Sequence, residues 1–417
     1  MKVAAALRSV GKLYQLPRTN WQYFPHSVLG GRESIEAALK RNSGVGPGFD
    51  YLRVTLALVI LLLHVVGSVR GEGEQRAIGF IVYGKPENSG AQLFSWWEAW
   101  APWRHAVQGL LVPMFFALSG FLVTASALRL RNVRSFLLFR GLRIFPALTV
   151  EVVLSALILG PVYTDLAITS YFGSYGFFRY FGNILGFVTF YLPGVFENNP
   201  WPKIVNANLW TLPAEFYCYA ILAFCMISRI IYKRMYFTIF FCALSVVFIY
   251  SLFPAVGPLL PDIGPGFARS FGVTYYFFVG CLFFHWRSWI SINRSAFLIS
   301  GLLSLVFLEE NFARGEVVVL AALTPFVLTY CTVVLGIANW PKLPLVRNGD
   351  YSYGIYLYGF PITQALIASF PGLRGHIWLM LLIAPALTTM FSVLSWHRIE
   401  HPVLQLKKRF GPVSRPV

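Results

Sequence analysis

FDYLRVTLALVILLLHVVGSV, residues 49–69, decides the fold, because this stretch is long and apolar enough to cross a bilayer as one helix. It nevertheless carries two ionisable side chains, Arg53 and His64. An ionisable group at the bilayer centre costs roughly 2.5–3.5 kcal/mol, so such a residue is functional by default. Eleven residues of helix place both side chains on one face, roughly 16 Å apart along the axis. One face is therefore predicted to hold a cation near one surface and a proton acceptor deeper inside.

The composition indicates a membrane protein. Of 417 residues, 57% are hydrophobic and only 12% are charged, whereas a soluble domain has about 25% charged residues. The net charge of +17 could suggest nucleic-acid binding, but basic residues in short loops between apolar runs are first explained by orientation in a membrane. The five cysteines lie in apolar runs without a CxxC pair. This pattern favours packing over a disulfide or zinc framework, and we expect no metal site.

Apolar runs long enough to cross a bilayer, or nearly so, lie at 49–69, 107–128, 145–165, 209–232, 236–253, 270–286, 295–308, 316–337, 352–370 and 377–397. Placing the basic loops, among them the arginine-rich 129–143, in the cytoplasm gives about ten transmembrane helices with both termini cytoplasmic. An eleventh span at the ambiguous run 178–196 would break the alternation, so that run is predicted to be re-entrant or to lie on the outer surface. The predicted fold is an all-α polytopic integral membrane protein.

The expected domain organisation follows from these spans. One transmembrane domain, 49–402, is expected between a cytoplasmic N-terminal segment, 1–48, and a basic cytoplasmic tail, 403–417. The first segment lacks the apolar core of a cleavable signal peptide. Its first residues are basic and weakly amphipathic, which is compatible with a loose tail or with a helix on the membrane surface.

Three arginines are candidates for phosphate binding at the cytoplasmic side. Arg140 and Arg143 share a helix face where the third span begins, and Arg53 lies in the first span. Guanidinium groups bind phosphates through forked, charge-assisted hydrogen bonds. The alternative is that these arginines only set the orientation of the protein. Glu151, deeper in the third span, is expected to pair with Arg53 or Arg143.

A histidine and a carboxylate are predicted to lie at one depth. With the first span running outward and the fourth inward, His64 and Glu215 both fall in the outer half of the membrane. In a soluble core a single histidine is more often a packing residue, but lipid offers it no hydrogen bond. We therefore predict that His64 is a catalytic base and that Glu215 is the catalytic partner that orients it.

Two further segments contribute candidate binding residues. NANLWTLPAEFYCY, residues 206–219, is predicted to bind an acceptor at the outer side through Asn208, Trp210 and Tyr217, although an interfacial aromatic belt would also explain the two aromatic residues. PMFFALSGFL, residues 113–122, places Ser119 and Gly120 in mid-membrane. Small residues there indicate either close helix contact or a glycine-lined channel for a narrow ligand.

As an ordered set, these motifs resemble the membrane acyltransferase 3 family over about residues 49–402. The family pattern has Arg-x10-His in the first span, an FF-x-L-SGFL-like second span, Arg-x-x-Arg before the third span and a later LW-x-L-x-x-E. The matching segments of this chain are Arg53 with His64, 115–122, Arg140 with Arg143, 209–215, YSYGIYLYGFP at 351–361 and HRIEHP at 397–402. Many members have a histidine where this chain has Gly359, and many carry a fused extracytoplasmic domain.

The resemblance implies a carbohydrate O-acetyltransferase-type enzyme of the bacterial inner membrane. It would move an acyl group, usually acetyl, from cytoplasmic acyl-CoA to a hydroxyl of an extracytoplasmic carbohydrate. The arginines would bind the phosphates of the donor, and its pantetheine arm would reach past Ser119 and Gly120 toward His64. His64 would take the hydroxyl proton, which is worth about 10²–10⁴ in rate, or carry the acyl group itself. The expected partners are acyl-CoA, a glycan acceptor and the lipid bilayer, without nucleic acid.

Two other functions are compatible with the sequence. Intramembrane charges at two depths also fit a proton-coupled transporter, although such transporters often show internal repeats and none is evident here. A membrane acyltransferase that modifies a lipid or a protein would use the same donor and the same arginines.

Overall fold

The computed structural model describes residues 33–42, 44, 46–71, 101–251, 264–314, 318–340 and 349–407. Within these ranges, side chains are not described for 101–108, 250–251, 264–271, 307–314 and 318–321. Most of the predicted N-terminal segment and of the predicted basic tail lie outside the described residues.

The described part of the chain is mostly helical, at 81%. Its first helices and their bounds are α1 (Ile35–Arg41), α2 (Phe49–Arg70), α3 (Ala101–Leu130), α4 (Val133–Leu154), α5 (Gly160–Tyr163), α6 (Ile168–Gly173), α7 (Tyr175–Tyr180) and α8 (Thr211–Ile227). The later ones are α9 (Arg234–Ser251), α10 (Gly264–Trp286), α11 (Arg294–Arg314), α12 (Val318–Ile337), α13 (Ser352–Ser369), α14 (Ile377–Ser395) and α15 (His401–Gln405).

Short irregular elements join these helices. They are π-helical turns at Ser155–Leu159 and Trp396–Glu400 and 3₁₀ turns at Phe181–Leu185, Ala207–Trp210, Ile230–Tyr232 and Pro371–Gly375. The strands β1 (Glu33–Ser34) and β2 (Ser291–Ile292) pair antiparallel and hold α1 beside the C-terminal end of α10.

Each of the ten predicted apolar runs overlaps helical structure in the described part of the chain. Five stretches there are long and apolar enough to cross a membrane, namely Phe49–Arg70, Gly109–Leu130, Val133–Tyr163, Ala207–Ile227 and Ile377–Gln405. The protein is therefore a helical, multi-pass membrane protein. The ambiguous run 178–196 forms no helix of spanning length; it contains the end of α7, one 3₁₀ turn and extended chain.

The arginine-rich segment 129–143 is mostly helical, which differs from the predicted loop. The chain leaves α3 after Leu130 and enters α4 at Val133, where the side chain of Asn132 accepts a hydrogen bond from the Ser135 N–H at 3.1 Å. Arginine and leucine are good helix formers, so the helix extends through the charged residues. Arg140 and Arg143 consequently lie about 10 and 15 Å along α4, inside a helix rather than before it.

Close helix contacts set the walls around the candidate site. Gly120 of α3 faces α10, and a methyl group there would overlap the carbonyl oxygen of Phe277; Gly280 of α10 meets Ala117 of α3 in the same way. These glycines let the two backbones approach. A second contact brings Leu61 of α2 against the glycine of α13 at position 359.

Candidate functional site

A cavity opens between α2, α3, α4, α8 and α13. Six of the predicted site residues line it: Arg53, Ser119, Arg140, Arg143, Asn208 and Glu215. We call this space the arginine cavity. Three guanidinium groups from two different helices meet there, so the cavity can hold a strongly anionic ligand.

Asp350 is the residue that the sequence analysis missed. One carboxylate oxygen, Oδ2, accepts from Arg53 Nη1 at 3.2 Å and from Arg143 Nη2 at 2.5 Å, and Oδ1 accepts from the Ser352 hydroxyl at 2.5 Å. Burial raises the pKa of Asp350, but the charges of Arg143 and Arg53 outweigh it and hold that pKa well below its usual range. The sequence offers only a weak indication of this role: Asp350 is an acidic residue directly before segment 351–361, which resembles the family. Asp350 fixes two of the three predicted phosphate ligands relative to each other.

Arg140 differs from the other two arginines. In the described part of the chain no carboxylate lies within ion-pair distance of it, and its Nε is buried without a hydrogen-bond partner. Its guanidinium lines the cavity. Arg140 is therefore available to an anionic ligand without displacing an internal partner.

Glu215 lies with the arginines and not with His64. Its Oε1 accepts from the Tyr219 hydroxyl at 2.5 Å, and its charge acts on Arg143 and Arg140. The position of Glu215 along the helix bundle can be judged from Asn208, which donates a hydrogen bond to the Tyr356 carbonyl of α13 at 2.5 Å. Glu215 is seven residues further along, about 10 Å nearer the arginine end of the molecule. The predicted equal depth, and with it the orienting contact to His64, is not found.

His64 lies beyond the inner end of the cavity. Its ring meets Phe360 of α13 edge to face, with 5.4 Å between ring centroids, and Phe360 is one helical turn past the cavity-lining Tyr356. The imidazole Nδ1 is buried and has no hydrogen-bond partner among the described residues. The imidazole is thus close to the arginine cavity along α13 but is not part of its wall.

Two more buried polar groups lie near this histidine. Ser68 is one turn further along α2, and the Trp201 ring lies 5.1 Å from Phe360, so that Phe360 touches both His64 and Trp201. Ser68 Oγ and Trp201 Nε1 are also buried without a hydrogen-bond partner in the described part of the chain. We call these three residues, His64, Ser68 and Trp201, the histidine cluster.

The other predicted residues take different places. Ser119 lines the cavity, whereas Gly120 contacts α10 and does not. Asn208 lines it, Trp210 packs half-buried against the hydrophobic core, and Tyr217 points away with 43% of its surface exposed. The structure thus brings Asn208 to the arginine cavity and leaves the two aromatic residues outside its wall.

Glu151 does not pair with an arginine, which corrects that expectation. Its Oε1 accepts from Asn206 Nδ2 and from the Ser155 hydroxyl, both at 2.9 Å. Asn206 also donates to the Leu357 carbonyl at 3.0 Å. These neutral donors already satisfy Oε1 of the acid, and they tie α4, the start of α8 and α13 together beside the histidine cluster.

Comparisons with known proteins identify the family of this chain. The model of the acyltransferase 3 family, described as an acyltransferase domain, matches residues 47–397. The chain is 25% identical to an O-acetyl transferase of Shigella phage Sf6 over 369 residues, which are 88% of this chain and 97% of that protein. It is 29% identical to nodulation protein 10 of Rhizobium leguminosarum bv. viciae over 318 residues, 71% of this chain and 82% of that protein. No solved structure matches the chain.

The family match covers the arginine cavity and the histidine cluster in full, since both lie within residues 47–397. This chain, an acyltransferase, belongs to the acyltransferase 3 family.

Proposed function

We propose that the protein is an O-acetyltransferase that moves the acetyl group of cytoplasmic acetyl-CoA to a hydroxyl of an extracytoplasmic carbohydrate. The observation that carries the proposal is the arginine cavity, which has three guanidinium groups at one end and His64 just beyond the other. Such a cavity fits a ligand that is anionic at one end and reactive at the other. The name of the Shigella phage Sf6 relative, O-acetyl transferase, supports acetyl as the transferred group.

The proposed orientation follows from the basic residues. About ten helices span the bacterial inner membrane with both termini in the cytoplasm, and the arginine end of α2 faces the cytoplasm. Coenzyme A is cytoplasmic and polyanionic, so its phosphates meet the arginines. Its pantetheine arm is long, thin and nearly neutral, and it extends past Ser119 and Asn208, which line the cavity, toward His64.

In the proposed reaction a ring nitrogen of His64 removes the proton of the acceptor hydroxyl as the oxygen attacks the thioester carbonyl. The C–O bond forms, the C–S bond breaks, and the proton is passed from the imidazolium to the departing thiolate. General-base help of this kind is worth about 10²–10⁴ in rate. The unpartnered Nδ1 of His64 supports this role, because a buried nitrogen without an internal partner is free to bind a substrate hydroxyl.

The test uses purified full-length protein in detergent with acetyl-CoA and a glycan acceptor. Release of free thiol that depends on the acceptor, with an O-acetylated product in the mass spectrum, is the expected result. The absence of thiol release in the presence of acceptor would reject transfer from acetyl-CoA to that glycan. Mass spectrometry of surface polysaccharide and lipids, with and without the gene, distinguishes the acceptor: an unchanged glycan with altered lipids would overturn the carbohydrate assignment.

A further inference from the structure

We infer that Arg140 and Lys407 form the pair that binds a phosphate group of the donor, while Asp350 holds Arg53 and Arg143 in place as positioning residues. This inference rests on the proposed function, in which the donor is an acyl-CoA. It assigns a ligand role to Lys407, a residue that the sequence places in a basic tail. It also divides the three cavity arginines into two groups with different roles.

The first step of the argument is the pairing of Arg53 and Arg143. Both bind Asp350 Oδ2, and Arg53 Nη1 also lies 3.6 Å from Asp50. The buried carboxylate of Glu400 acts on Arg143 from the other side. These two guanidinium groups are therefore already neutralised by carboxylates. A phosphate that took them as ligands would have to leave the carboxylate of Asp350 buried beside a second anion, which is costly.

The second step is the lack of such pairing at Arg140. It lies one turn before Arg143 on α4 and lines the cavity, and its Nε is buried without a partner. The carboxylate of Glu215, whose charge interacts with Arg140, accepts a hydrogen bond from Tyr219. A guanidinium in this position gains most from an anion supplied by a ligand, because charge-assisted hydrogen bonds to phosphate are strong.

The third step is the position of Lys407. It follows α15, and its Nζ lies 5.7 Å from the centroid of the Phe139 ring, the residue next to Arg140. Burial and the charges of Arg140 and Arg143 lower the pKa of Lys407 to about 8. No carboxylate of the described residues forms an ion pair with it. Two cations held near each other in this way are stabilised by a dianion that both can bind.

The experiment measures binding of CoA and of 3′-dephospho-CoA to the full chain in detergent by calorimetry. The variants are Lys407→Gln, Lys407→Arg and Arg140→Gln. The matched control is Lys40→Gln, since the Lys40 side chain is 76% exposed and forms an ion pair with Glu36. We expect Lys407→Gln and Arg140→Gln each to weaken CoA binding about tenfold, and Lys40→Gln to leave it unchanged. A melting curve of each variant checks the fold, and if Arg140→Gln does not fold, the two Lys407 variants carry the test.

The pH dependence gives a second readout. In the wild type, CoA affinity should fall as the pH rises from 7 to 9, because Lys407 loses its proton near pH 8. Lys407→Arg should keep its affinity across that range, and Lys407→Gln should be weak throughout. A loss of CoA affinity without loss of 3′-dephospho-CoA affinity in Lys407→Gln would assign the pair to the 3′-phosphate, and an equal loss of both would assign it to the diphosphate.

Three outcomes overturn parts of the argument in distinguishable ways. Wild-type affinity for CoA in both Lys407→Gln and Arg140→Gln would reject the phosphate pair and leave the proposed function intact. An equal loss in Lys40→Gln would reduce the effect to general electrostatics and reject the pair as well. Wild-type protein that binds neither CoA nor acetyl-CoA would reject the proposed function and the inference together.

Discussion

Helices α2 and α13 pass both the arginine cavity and the histidine cluster, yet the polar groups at the two ends are satisfied differently. At one end Arg53 and Arg143 share the carboxylate of Asp350, which also accepts from Ser352. At the other end, His64 Nδ1 is buried with no partner among the described residues, as are two neighbouring polar atoms. Arg53 and Arg143 thus have an internal anion, whereas Arg140 Nε, His64 Nδ1 and the two atoms beside that histidine have no hydrogen-bond partner among the described residues.

Under the proposed function, this difference separates the end that would bind the donor from the end that would react. The paired charges of Arg53, Arg143 and Asp350 are expected to form a rigid frame beside Arg140, which is left to contact the ligand. An unpartnered buried nitrogen is costly for folding and is explained by a function that uses it. The proposed function places the donor in the arginine cavity and proton transfer at His64, so it predicts different consequences of mutation at each end.

The largest expected effect comes from the histidine cluster. His64→Gln should lower kcat by about 10²–10⁴ while CoA affinity stays near the wild-type value, because His64 does not line the arginine cavity. Turnover and calorimetric CoA binding are measured on the same preparation. Val65→Ala, at the buried position next to His64 on α2, is the matched control for local packing. A fully active His64→Gln would end the assignment of the base.

The second effect is on stability and comes from the arginine cavity. Asp350→Asn leaves two guanidinium groups without their shared anion, and removing one partner of a buried pair costs about 3–5 kcal/mol. Since 16% of the Asp350 side chain and 23–27% of the arginine side chains remain exposed, we expect the lower end of that range. Thermal unfolding in detergent measures it, and Asp165→Asn in an exposed loop is the control.

The sign of the pH dependence of stability can be predicted for the wild type and for Asp350→Asn. The folded pKa of Asp350 is depressed, so its stabilisation is present above the ordinary aspartate pKa of about 3.9 and is lost as the pH falls through that value toward the folded pKa. The wild type should thus lose more stability between pH 5 and pH 3, roughly the window set by these values, than Asp350→Asn. Equal slopes would contradict the ion-pair argument.

The sequence was informative where local physics decides the structure. Hydropathy and length located a helix at each of the ten predicted runs, and the helical period correctly placed Arg53 and His64 along one face toward α13. The sequence was not informative about contacts that join distant segments of the chain. The Arg53–Asp350 pair spans 297 residues, and nothing in the local pattern of either residue selects the other.

The prediction that Glu215 lies at the depth of His64 is wrong for a specific reason. The prediction counted from an assumed membrane surface at the start of the fourth span. In the structure a 3₁₀ turn, Ala207–Trp210, precedes α8, and Asn208 in that turn already contacts Tyr356 of α13. From this contact α8 runs toward the arginines, so Glu215 falls at the arginine end. The sequence also left the role of Gly120 open, because a small residue predicts close helix packing without identifying the helix that it contacts.

Gly120→Ala should lower the stability of the protein by a smaller amount, because it alters the contact between α3 and α10 beside the cavity. The added methyl group would overlap the Phe277 carbonyl oxygen, so α3 and α10 must separate, at a cost of about 1–3 kcal/mol. Gly272→Ala in α10 is the matched control, since nothing lies within 4 Å of its added methyl group. Melting temperatures of the two variants are compared. Equal stability would show that this contact does not set the width of the cavity.

Glu215→Gln gives the smallest expected change and decides to which end this residue belongs. If Glu215 acts only on the arginine cavity, removing its negative charge favours an anionic donor by roughly 1 kcal/mol, about fivefold in Kd, and leaves the pH profile of kcat unchanged. Tyr219→Phe, which removes the hydrogen bond to Glu215 but no charge, is the control and should not tighten CoA binding. A fall in kcat comparable to that of His64→Gln, with no further loss when both substitutions are combined, would instead join Glu215 to the histidine cluster. That result would require the carboxylate to reach His64 during turnover, and it would remove the separation of the two ends on which the comparison depends.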